Sequence, residues 1–584
     1  MAKKEINEQL EKIRHSTSHV MAYAVKELFG EVKFAIGPTI EDGFYYDFEM
    51  VDKTFSPDDL KKIKDKMDEI NHKKLDFVHT ELPIAEALKK MEGQPYKQEL
   101  IKDLEASGET VVSFYQVGDF TDLCRGPHVA NTKELGHFKL MKTAGAYWKG
   151  SEKNKMLQRI YGTAFTTKDE LFSYVKAVEE AEKRDHNKLG RELELFVTSE
   201  VIGQGLPLLT PKGSKIIQVL KRWIEDEEYK RGYQLTMTPM MAKSDLYKIS
   251  GHWDHYRDGM FLLNAIDDEM ALRPMTCPFQ FTIYNAKKHS YRDLPIRYGE
   301  TSTLFRNESS GEMHGLIRLR QFTISEGHLV CRMDQLEEEF DGVLNLISYV
   351  LKTIGLSDYT YRFSKWDPKN EKGKYIDNPA AWESSQVALK RILDKNGLQY
   401  EEAEGEAAFY GPKLDIQMKN VHGKEDTIIT VQIDFALPER FDMKYTDKEG
   451  KDARPIVIHR TSIGCYERTL ALLIERYAGA FPTWLSPNQV TIIPVSEKFN
   501  EYGYKVKKAL DNEMIRVEID DSDDSLGKRI RNAEKQKTPY IIVVGEKEQT
   551  EGSVSIRQRG NIDLGTKSLQ EFVDLIKQEI ADKK

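Results

Sequence analysis

The chain has few cysteines and no long apolar run, and each absence excludes a class of protein. Only four cysteines occur among 584 residues. That number is too small for a disulfide framework and is typical of a reducing compartment. No apolar stretch approaches the ~20 residues that span a bilayer, and the amino-terminal residues lack the apolar core of a secretion signal. These features predict a cytoplasmic protein that has no membrane partner.

Charge is also nearly balanced. The formal net charge is -9, so bulk charge does not indicate a nucleic-acid partner, and any RNA must meet local clusters of basic residues. With 40% hydrophobic and 31% charged residues, the composition is that of an ordinary globular protein. A chain of this length is too long for one hydrophobic core, so we expect three or four domains.

The apolar pattern divides the chain into four segments and predicts an α+β multidomain fold. Residues 1–165 form a mixed α+β segment, and residues 166–190 form one charged linker helix. Residues 191–486 contain many segments of alternating polarity, which predict a large, mostly antiparallel sheet. Residues 487–584 alternate strands and helices and end with a hairpin and a helix, as a small α/β domain with a parallel sheet does.

Helical periodicity is clearest in four places. A first helix is predicted over residues 6–29 and ends at Gly30. Three long helices are predicted to flank the large sheet, near residues 212–231, 334–355 and 464–479.

Two pairs of chemically reactive residues occur in the first segment. His15 and His19 are four positions apart on the predicted helix, opposite its apolar residues, which argues against two core histidines and leaves a solvated pair as the alternative. Cys124 and His128 are also four positions apart, just after Asp122. They suit metal ligation, or a thiol and an imidazole that move protons in a hydrolysis reaction.

Arginines and one aromatic residue stand out in the large segment. If residues 315–322 form a strand, its period of two places Arg318, Arg320 and Phe322 on one face. A guanidinium fork suits phosphate oxygens and an aromatic face suits a purine, whereas structural carboxylates are the alternative partners. Arg468 follows Gly464 at a predicted helix start, where free N–H groups favour a phosphate. No segment matches the phosphate-binding loop of P-loop enzymes.

Two of these segments resemble a known enzyme class. RNESSGEMHGLIRLRQFT is similar to motif 2 of class II aminoacyl-tRNA synthetases, and IGCYERTLALLIE is similar to motif 3. The helix near residues 212–231 with TMTPMM behind it resembles motif 1, which forms the dimer. The resemblance implies a class II antiparallel-sheet catalytic domain, a homodimer, and ATP used with Mg²⁺. It implies an ATP site made of Arg306, Glu308, Arg318, Phe322 and Arg468, in which the arginines hold phosphates and Phe322 stacks on adenine.

Cys277, His328 and His459 lie far apart in the sequence and form no local metal signature, so spacing alone favours structural roles. Their flanks, RPMTCP, SEGHLVC and VIHRTS, resemble the segments around the zinc ligands of threonyl-tRNA synthetases. This resemblance implies one Zn²⁺ per subunit with coordination positions left open. It also implies ligation of L-threonine to tRNA(Thr) through a threonyl-adenylate, with release of AMP and diphosphate.

A zinc site that selects threonine predicts a second, hydrolytic site. Valine lacks the hydroxyl and is excluded, but serine keeps both ligating groups and differs by one methyl, worth roughly 1–3 kcal/mol. The first segment resembles the editing domain that threonyl-tRNA and alanyl-tRNA synthetases share, which implies hydrolysis of seryl-tRNA(Thr). The editing residues that this resemblance implies are His15, His19, Lys97, Asp122, Cys124 and His128.

Further positions are implied by the same resemblance. Lys413, Tyr410 and Gln432 match residues around the threonine and the α-phosphate, with Lys413 counted among the catalytic groups. The last segment resembles the anticodon-binding domain that the threonyl, prolyl, histidyl and glycyl enzymes share. There Glu548 and Arg557 match positions that read anticodon bases, as an acceptor and a multiple donor can; solvated surface charges are the alternative.

The sequence departs from the family pattern in four respects. It has no counterpart of the small ubiquitin-like domain with which many bacterial members begin. Arg273 replaces a frequent lysine, and Cys277 is followed by Pro-Phe-Gln280, where many members have Pro-Gly-His. Glu326 stands where the family usually has the aspartate that receives the threonine hydroxyl. We expect Glu326 to take that role, with its extra methylene absorbed nearby.

Three other functions compete with this interpretation. A prolyl enzyme would have the same last domain, but Cys277, His328 and His459 argue against it. A non-catalytic paralogue that senses an amino acid or binds RNA would have lost a motif arginine or a zinc ligand. A free-standing deacylase would not need the ATP-binding segment.

Overall fold

The computed structural model describes residues 8–50, 53–151, 153–264, 268–370 and 373–584. It separates into two compact units, Met1–Glu179 and Glu180–Lys584. The predicted start of the first helix at residue 6 lies outside the described residues. None of the helices that the structure describes is long and apolar enough to cross a membrane.

The first unit combines helices with two antiparallel sheets. Its helices are α1 (Glu8–Phe29), α2 (Pro57–His72), α3 (Ile84–Lys90) and α4 (Pro95–Ala106). Its strands are β1 (Val32–Phe34), β2 (Thr39–Ile40), β3 (Gly43–Met50), β4 (Phe77–Pro83), β5 (Val111–Val117), β6 (Phe120–Leu123), β7 (His137–Tyr147) and β8 (Met156–Phe165). One sheet has the order β1-β3-β8-β7 with β2 added to β3, and the other has the order β4-β5-β6.

Helix α1 is the centre of the first unit and is buried on every side from Ser16 to Val25. The prediction that His15 and His19 face away from the apolar core is therefore wrong for His19, which is 2% exposed. The sheet strands β3 and β8 cover one side of the helix, and α2 with β5 and β6 cover the others. Amphipathic periodicity cannot reveal this burial, because polar side chains also line a covered face when they find partners.

The predicted linker is two helices, α5 (Lys168–Arg184) and α6 (His186–Glu192). The prediction of one continuous helix was wrong because Asp185 is the N-cap of a new helix. Its carboxylate accepts hydrogen bonds from the N–H groups of Asn187 at 2.9 Å and Lys188 at 3.0 Å. A capping aspartate of this kind ends one helix and begins the next.

The second unit contains the large sheet and its helices. The helices up to residue 477 are α7 (Pro211–Lys230), α8 (Ser244–Ser250), α9 (His252–Tyr256), α10 (Cys277–Asn285), α11 (Leu336–Thr353), α12 (Pro379–Lys395), α13 (Leu437–Arg440) and α14 (Tyr466–Tyr477). The strands up to residue 465 are β9 (Phe196–Val197), β10 (Leu208–Leu209), β11 (Gln234–Leu235), β12 (Met241–Lys243), β13 (Leu262–Asn264), β14 (Glu269–Leu272), β15 (Ile296–Phe305), β16 (Gln321–Cys331), β17 (Tyr359–Lys365), β18 (Tyr400–Glu404), β19 (Lys413–Lys419), β20 (Glu425–Asp434), β21 (Tyr445–Thr446), β22 (Asp452–Ala453) and β23 (Ile456–Cys465).

The large sheet has eight strands in the order β11-β15-β16-β23-β20-β19-β17-β18. The pairs at its two edges, β11 with β15 and β17 with β18, are parallel, and the rest are antiparallel. The predicted antiparallel sheet is thus confirmed, as are the three long helices α7, α11 and α14. Helix α12 was not predicted, although Asn378 caps it and Leu389 and Ile392 are buried in the same core as the sheet.

The carboxyl-terminal part is a smaller layered domain with its own sheet. Its strands are β24 (Val490–Pro494), β25 (Val517–Ile519), β26 (Tyr540–Val544), β27 (Ser553–Gln558) and β28 (Ile562–Ser568), and its helices are α15 (Asn500–Asn512), α16 (Leu526–Lys535), α17 (Glu546–Glu551) and α18 (Leu569–Asp582). Strands β25, β24 and β26 are parallel, and β27 and β28 add an antiparallel hairpin. Both parts agree with the sequence pattern.

Candidate functional site

A cavity of 790 Å³ opens on the face of the large sheet. Strands β16, β19, β20 and β23 contribute to its walls, together with the segment that joins β15 to β16. Most residues that the sequence assigns to ATP, threonine and zinc line this one cavity: Cys277, Arg306, Glu308, Arg318, Phe322, Glu326, Tyr410, Lys413, Gln432, His459 and Arg468.

The three candidate metal ligands converge in the fold although they are distant in sequence. Cys277 begins helix α10, and His328 lies directly opposite His459 where β16 pairs with β23. All three are buried, and one potential ligand atom from each lies within 4.8 Å of the others. The strand register therefore assembles the cluster.

Each histidine of this cluster has one ring nitrogen held by a neighbour. Gln280 Oε1 lies 2.6 Å from His328 Nδ1, and Asp434 Oδ2 lies 2.7 Å from His459 Nε2. His328 Nε2 is buried and has no hydrogen-bond partner in the described part of the chain. The opposite nitrogens, Nε2 of His328 and Nδ1 of His459, are therefore the ones available to a metal.

The cluster fits zinc by its donor set. One thiol and two imidazoles are ligands that Zn²⁺ prefers, and three protein ligands leave coordination open for a substrate. Burial raises the pKa of the Cys277 thiol well above its usual range and lowers that of His328 well below. A bound divalent cation favours the deprotonated thiol instead, and it needs the neutral imidazole that burial already favours.

Glu326 borders this cluster. Its Oε2 accepts a hydrogen bond from the Thr276 N–H at 3.1 Å. Burial raises the pKa of its carboxyl group, and the hydrogen bonds from Thr276 oppose that shift. One oxygen of Glu326 is thus held by the backbone just before helix α10, and the other lies toward His328.

The predicted strand face of Arg318, Arg320 and Phe322 was wrong. Strand β16 begins only at Gln321, and Arg318 lies in a tight turn that makes an isolated bridge with His314. The Arg318 guanidinium pairs with Glu308 at 2.8 Å, so a carboxylate partner is present in this structure. Turn residues such as Gly315 interrupt the alternation, and strand periodicity no longer applies there.

Arg306, Phe322 and Arg468 do line the cavity together. The Arg306 guanidinium carbon lies 5.2 Å from the centre of the Phe322 ring, and Arg306 Nε is buried without a hydrogen-bond partner among the described residues. Arg468 donates to the carbonyl of Ile317 at 2.9 Å and to that of Thr427 at 2.5 Å. These backbone contacts orient Arg468, whereas Arg306 still has a free donor.

On the opposite wall, Lys413 pairs with Asp415, and the Tyr410 hydroxyl donates to Gln432. The Tyr410 ring stacks on the His459 ring, with 5.0 Å between the centres. These contacts join the residues assigned to threonine to the candidate metal ligand.

In the first unit, His15, His19, Cys124 and His128 form a second cluster, with ligand atoms within 4.8 Å of one another. Helix α1 supplies the first two, and the segment after β6 supplies the others. The Cys124 sulfur lies 3.3 Å from His15 Nε2 and 3.3 Å from His128 Nε2. The structure thus brings together the two pairs that the sequence singled out.

The Asp122 carboxylate contacts several polar groups beside this second cluster. Its carboxylate pairs with the buried ammonium group of Lys97 and accepts a hydrogen bond from the Tyr46 hydroxyl at 2.6 Å. His19 Nε2 lies 3.7 Å from the same carboxylate. The sequence reasoning missed Tyr46, because a tyrosine in an aromatic-rich strand has no local signature of function.

Burial keeps the groups of this cluster neutral. It raises the pKa of the Cys124 thiol to about 12. Burial also lowers the pKa of His15, of His19 and of His128. At neutral pH the site therefore holds a thiol rather than a thiolate, together with neutral imidazoles.

Ser16 was also missed by the sequence reasoning. Its hydroxyl oxygen accepts a hydrogen bond from the Val129 N–H at 3.0 Å and lies 3.0 Å from His128 Nδ1. The Ser16 hydroxyl has one proton to donate, and we expect that proton to point to His128 Nδ1. The His128 Nε2–H then faces the sulfur of Cys124.

Comparison with known proteins identifies the family and its domains. Residues 261–477 match the class II tRNA synthetase core domain (G, H, P, S and T), residues 489–579 an anticodon binding domain, and residues 112–161 the threonyl and alanyl tRNA synthetase second additional domain. The chain is 62% identical to the threonine--tRNA ligase of Clostridium botulinum (strain Eklund 17B / Type B), over 98% of this chain and 89% of the relative. The chain belongs to the threonyl-tRNA synthetases.

A more distant relative and a solved structure extend the comparison. The threonine--tRNA ligase of Anoxybacillus flavithermus is 50% identical over 98% of this chain and 89% of its own. The crystal structure of the RNA binding domain of threonyl-tRNA synthetase from Cryptosporidium parvum Iowa II is 32% identical, with a TM-score of 0.64, over 68% of this chain and 98% of that chain. The predicted class II, editing and anticodon-binding folds are thereby confirmed.

The two anticodon candidates lie in the last domain of this synthetase. The Glu548 carboxylate accepts the N–H of Gly545 at 3.0 Å and so caps its own helix α17. Arg557 is exposed on β27. Their contact with RNA stays a prediction, and for Glu548 it would compete with the capping hydrogen bond.

Proposed function

We propose that the chain ligates L-threonine to tRNA(Thr) at the large cavity and hydrolyses seryl-tRNA(Thr) in its first unit. One observation carries the proposal: the cluster of Cys277, His328 and His459 borders the same cavity that the motif arginines line. Amino-acid selection and ATP activation then take place within one cavity, as adenylate formation requires. AMP and diphosphate are the other products.

Selection of threonine is assigned to a zinc ion held by Cys277, His328 and His459. When bound, zinc would supply open coordination positions that recognise an amino group and a neighbouring hydroxyl at once. Glu326, Tyr410 and Gln432 would surround the amino acid. Support comes from the unpartnered Nε2 of His328 and the orienting contacts on the other nitrogens. Replacing Cys277 with Ser should remove zinc from the purified protein and abolish threonine activation.

Activation of threonine is assigned to Arg306, Arg318, Arg468 and Lys413, with Mg²⁺ accompanying ATP. The free Nε donor of Arg306 supports a phosphate contact there, and Phe322 beside it suits the adenine ring. Arg318 would exchange its Glu308 partner for a phosphate, and Glu308 would then be free to face the nucleotide.

Hydrolysis of the seryl ester is assigned to His15, His19, Cys124 and His128. The unprotonated imidazoles can accept a hydrogen bond from an attacking water, and the neutral Cys124 thiol is better placed to donate a hydrogen bond than to attack. The Lys97 ammonium, fixed by Asp122, can stabilise negative charge that develops on the ester oxygen. The pocket would exclude threonine by its extra methyl.

We assign four parts to the chain: editing in residues 1–165, a linker in 166–190, catalysis in 191–486 and anticodon binding in 487–584. Glu548 and Arg557 are the proposed anticodon readers. The tRNA substrate itself implies action in the cytoplasm, where proteins are made.

A homodimer is proposed through the motif 1 region. Several large apolar side chains near α7, β11 and β12 are exposed: Tyr229, Leu235, Met237, Met240 and Met241, of which Met237 is 93% exposed. Exposed apolar side chains concentrated in one short segment of the chain suit contact with a second copy. Replacing Met237 with Lys should shift the protein to a monomer in sedimentation analysis, and an unchanged mass would contradict this interface.

The deciding experiment is ATP–pyrophosphate exchange with threonine, serine, valine and proline. We expect strong exchange with threonine, weaker exchange with serine, and none above background with valine or proline. Equal exchange with valine would exclude metal recognition of the hydroxyl. Exchange with proline alone would identify a prolyl enzyme.

A further inference from the structure

The Gln280 side chain contacts Nδ1 of His328, the ring nitrogen that is not available to the metal. Gln280 lies three positions after Cys277 on helix α10, so the two side chains lie on neighbouring parts of one helix face. Gln280 is fully buried, and its Oε1 lies 2.6 Å from Nδ1 of His328. The family resemblance implies a histidine at this position in many members, whereas this chain has Gln280.

The orientation of the Gln280 amide follows from its other partner. Its Nε2 donates a hydrogen bond to the Thr236 hydroxyl oxygen at 2.7 Å. The Thr236 hydroxyl donates in turn to Glu300 Oε2 at 3.0 Å. Because that hydroxyl has given its proton to a carboxylate, it offers only a lone pair to Gln280. The amide must therefore present its N–H to Thr236 and its carbonyl oxygen to His328.

A buried ion pair sets the direction of this hydrogen-bond chain. Arg273 Nη1 lies 2.8 Å from Glu300 Oε1, and both side chains are at most 4% exposed. A carboxylate paired with a guanidinium group accepts hydrogen bonds and donates none. Protons therefore point one way along the chain, from His328 to Gln280, from Gln280 to Thr236, and from Thr236 to Glu300.

We propose that Gln280 is a positioning residue for the metal centre, which fixes the His328 tautomer that carries its proton on Nδ1 and presents the Nε2 lone pair to zinc. Outer contacts of this type orient a ligand and raise its basicity. The inference rests on the proposed zinc site. Two departures from the family pattern, Arg273 and Gln280, belong to one hydrogen-bonded unit and would act together.

The test is zinc affinity, measured on the full-length protein by competition with a chromophoric chelator. Gln280→Leu removes the acceptor for His328 Nδ1–H and should weaken zinc binding about 10- to 100-fold. Gln280→Glu keeps an acceptor in the same place and should stay within a few-fold of wild type. Absorption of the Co²⁺-substituted proteins should change for Gln280→Leu and be retained for Gln280→Glu.

The matched control is Gln417→Leu. Gln417 is also buried and also donates to a threonine hydroxyl, that of Thr427, at 2.9 Å, but it contacts none of the three ligands. Zinc affinity in this control should equal that of wild type. If Gln280→Leu fails to fold, Thr236→Val gives the answer: it removes the group that orients the amide and should lower zinc affinity below that of wild type and of the Gln417→Leu control.

Each of the remaining outcomes contradicts either the role of Gln280 or the metal site itself. Wild-type affinity in Gln280→Leu, or in Thr236→Val where that variant is needed, overturns the inference. Equal losses in Gln280→Leu and in Gln280→Glu, which keeps the acceptor, show that the acceptor does not support zinc binding, and they overturn the inference as well. A wild-type protein that binds no zinc refutes the proposed metal site itself, so the two failures are distinguishable.

Discussion

The Glu326 carboxylate lies 3.8 Å from Nε2 of His328, with one oxygen toward the proposed metal position and the other held by the Thr276 N–H. This geometry suits an acceptor for the hydroxyl of a bound threonine. Glu326→Ala should therefore weaken threonine activation by about 1–3 kcal/mol, roughly 5- to 150-fold in kcat/KM, because a buried hydroxyl loses its partner. Pyrophosphate exchange measures the loss.

Conservative variants separate this role from a structural one. Glu326→Asp and Glu326→Gln keep an acceptor and should retain most of the activity, while all three variants should unfold at similar temperatures. Unchanged kinetics for Glu326→Ala would mean that Glu326 only supports the start of helix α10.

Editing should be separable from charging. His19→Ala and Cys124→Ala lie in the first unit, so they should leave the rate of threonine charging nearly normal. Seryl-tRNA should accumulate in both, because the first site discriminates against serine only by the worth of one methyl, roughly 10- to 200-fold. Following the seryl ester over time in the presence of serine, ATP and tRNA checks this. If both variants hydrolyse preformed seryl-tRNA at the wild-type rate, this cluster is not the editing site.

Ser16→Ala tests the orientation of His128. Without the Ser16 hydroxyl, the His128 tautomer that donates from Nε2 to Cys124 loses its anchor. Hydrolysis of seryl-tRNA should slow about 10-fold, the usual lower end for a group that orients a proton donor or acceptor. Thr17→Val is the matched control, since the Thr17 hydroxyl bonds only within its helix, to the carbonyl of Ile13. Equal rates for Ser16→Ala and the control would exclude the orienting role.

The same cluster should make stability depend on pH. Burial lowers the folded-state pKa of His15, His19 and His128, so the unfolded chain binds their protons first as the pH falls below about 6.5. Stability is therefore fully present above that pH and is lost below it, by at most about 1 kcal/mol per histidine between pH 6.5 and 5.5. Urea denaturation at these pH values should show a smaller loss for His128→Gln than for wild type. An equal loss would mean that His128 does not remain neutral in the folded state.

Local patterns in the sequence determined the elements and the reactive pairs, whereas the sites themselves were decided by contacts between distant residues. Alternation and helical periodicity are properties of neighbouring residues, and they predicted the antiparallel sheet, the helices α7, α11 and α14, and the spacing of His15 and His19. Motif resemblance added the family and the candidate ligands.

The register of strands β16 and β23 decided that His328 faces His459, and no local pattern encodes a pairing across so many residues. The hydrogen bonds of Gln280 and Asp434 to those histidines likewise arise only when helix α10 and strand β20 meet them. Side-chain partners follow from the packing of distant segments, and that packing is a property of the whole fold.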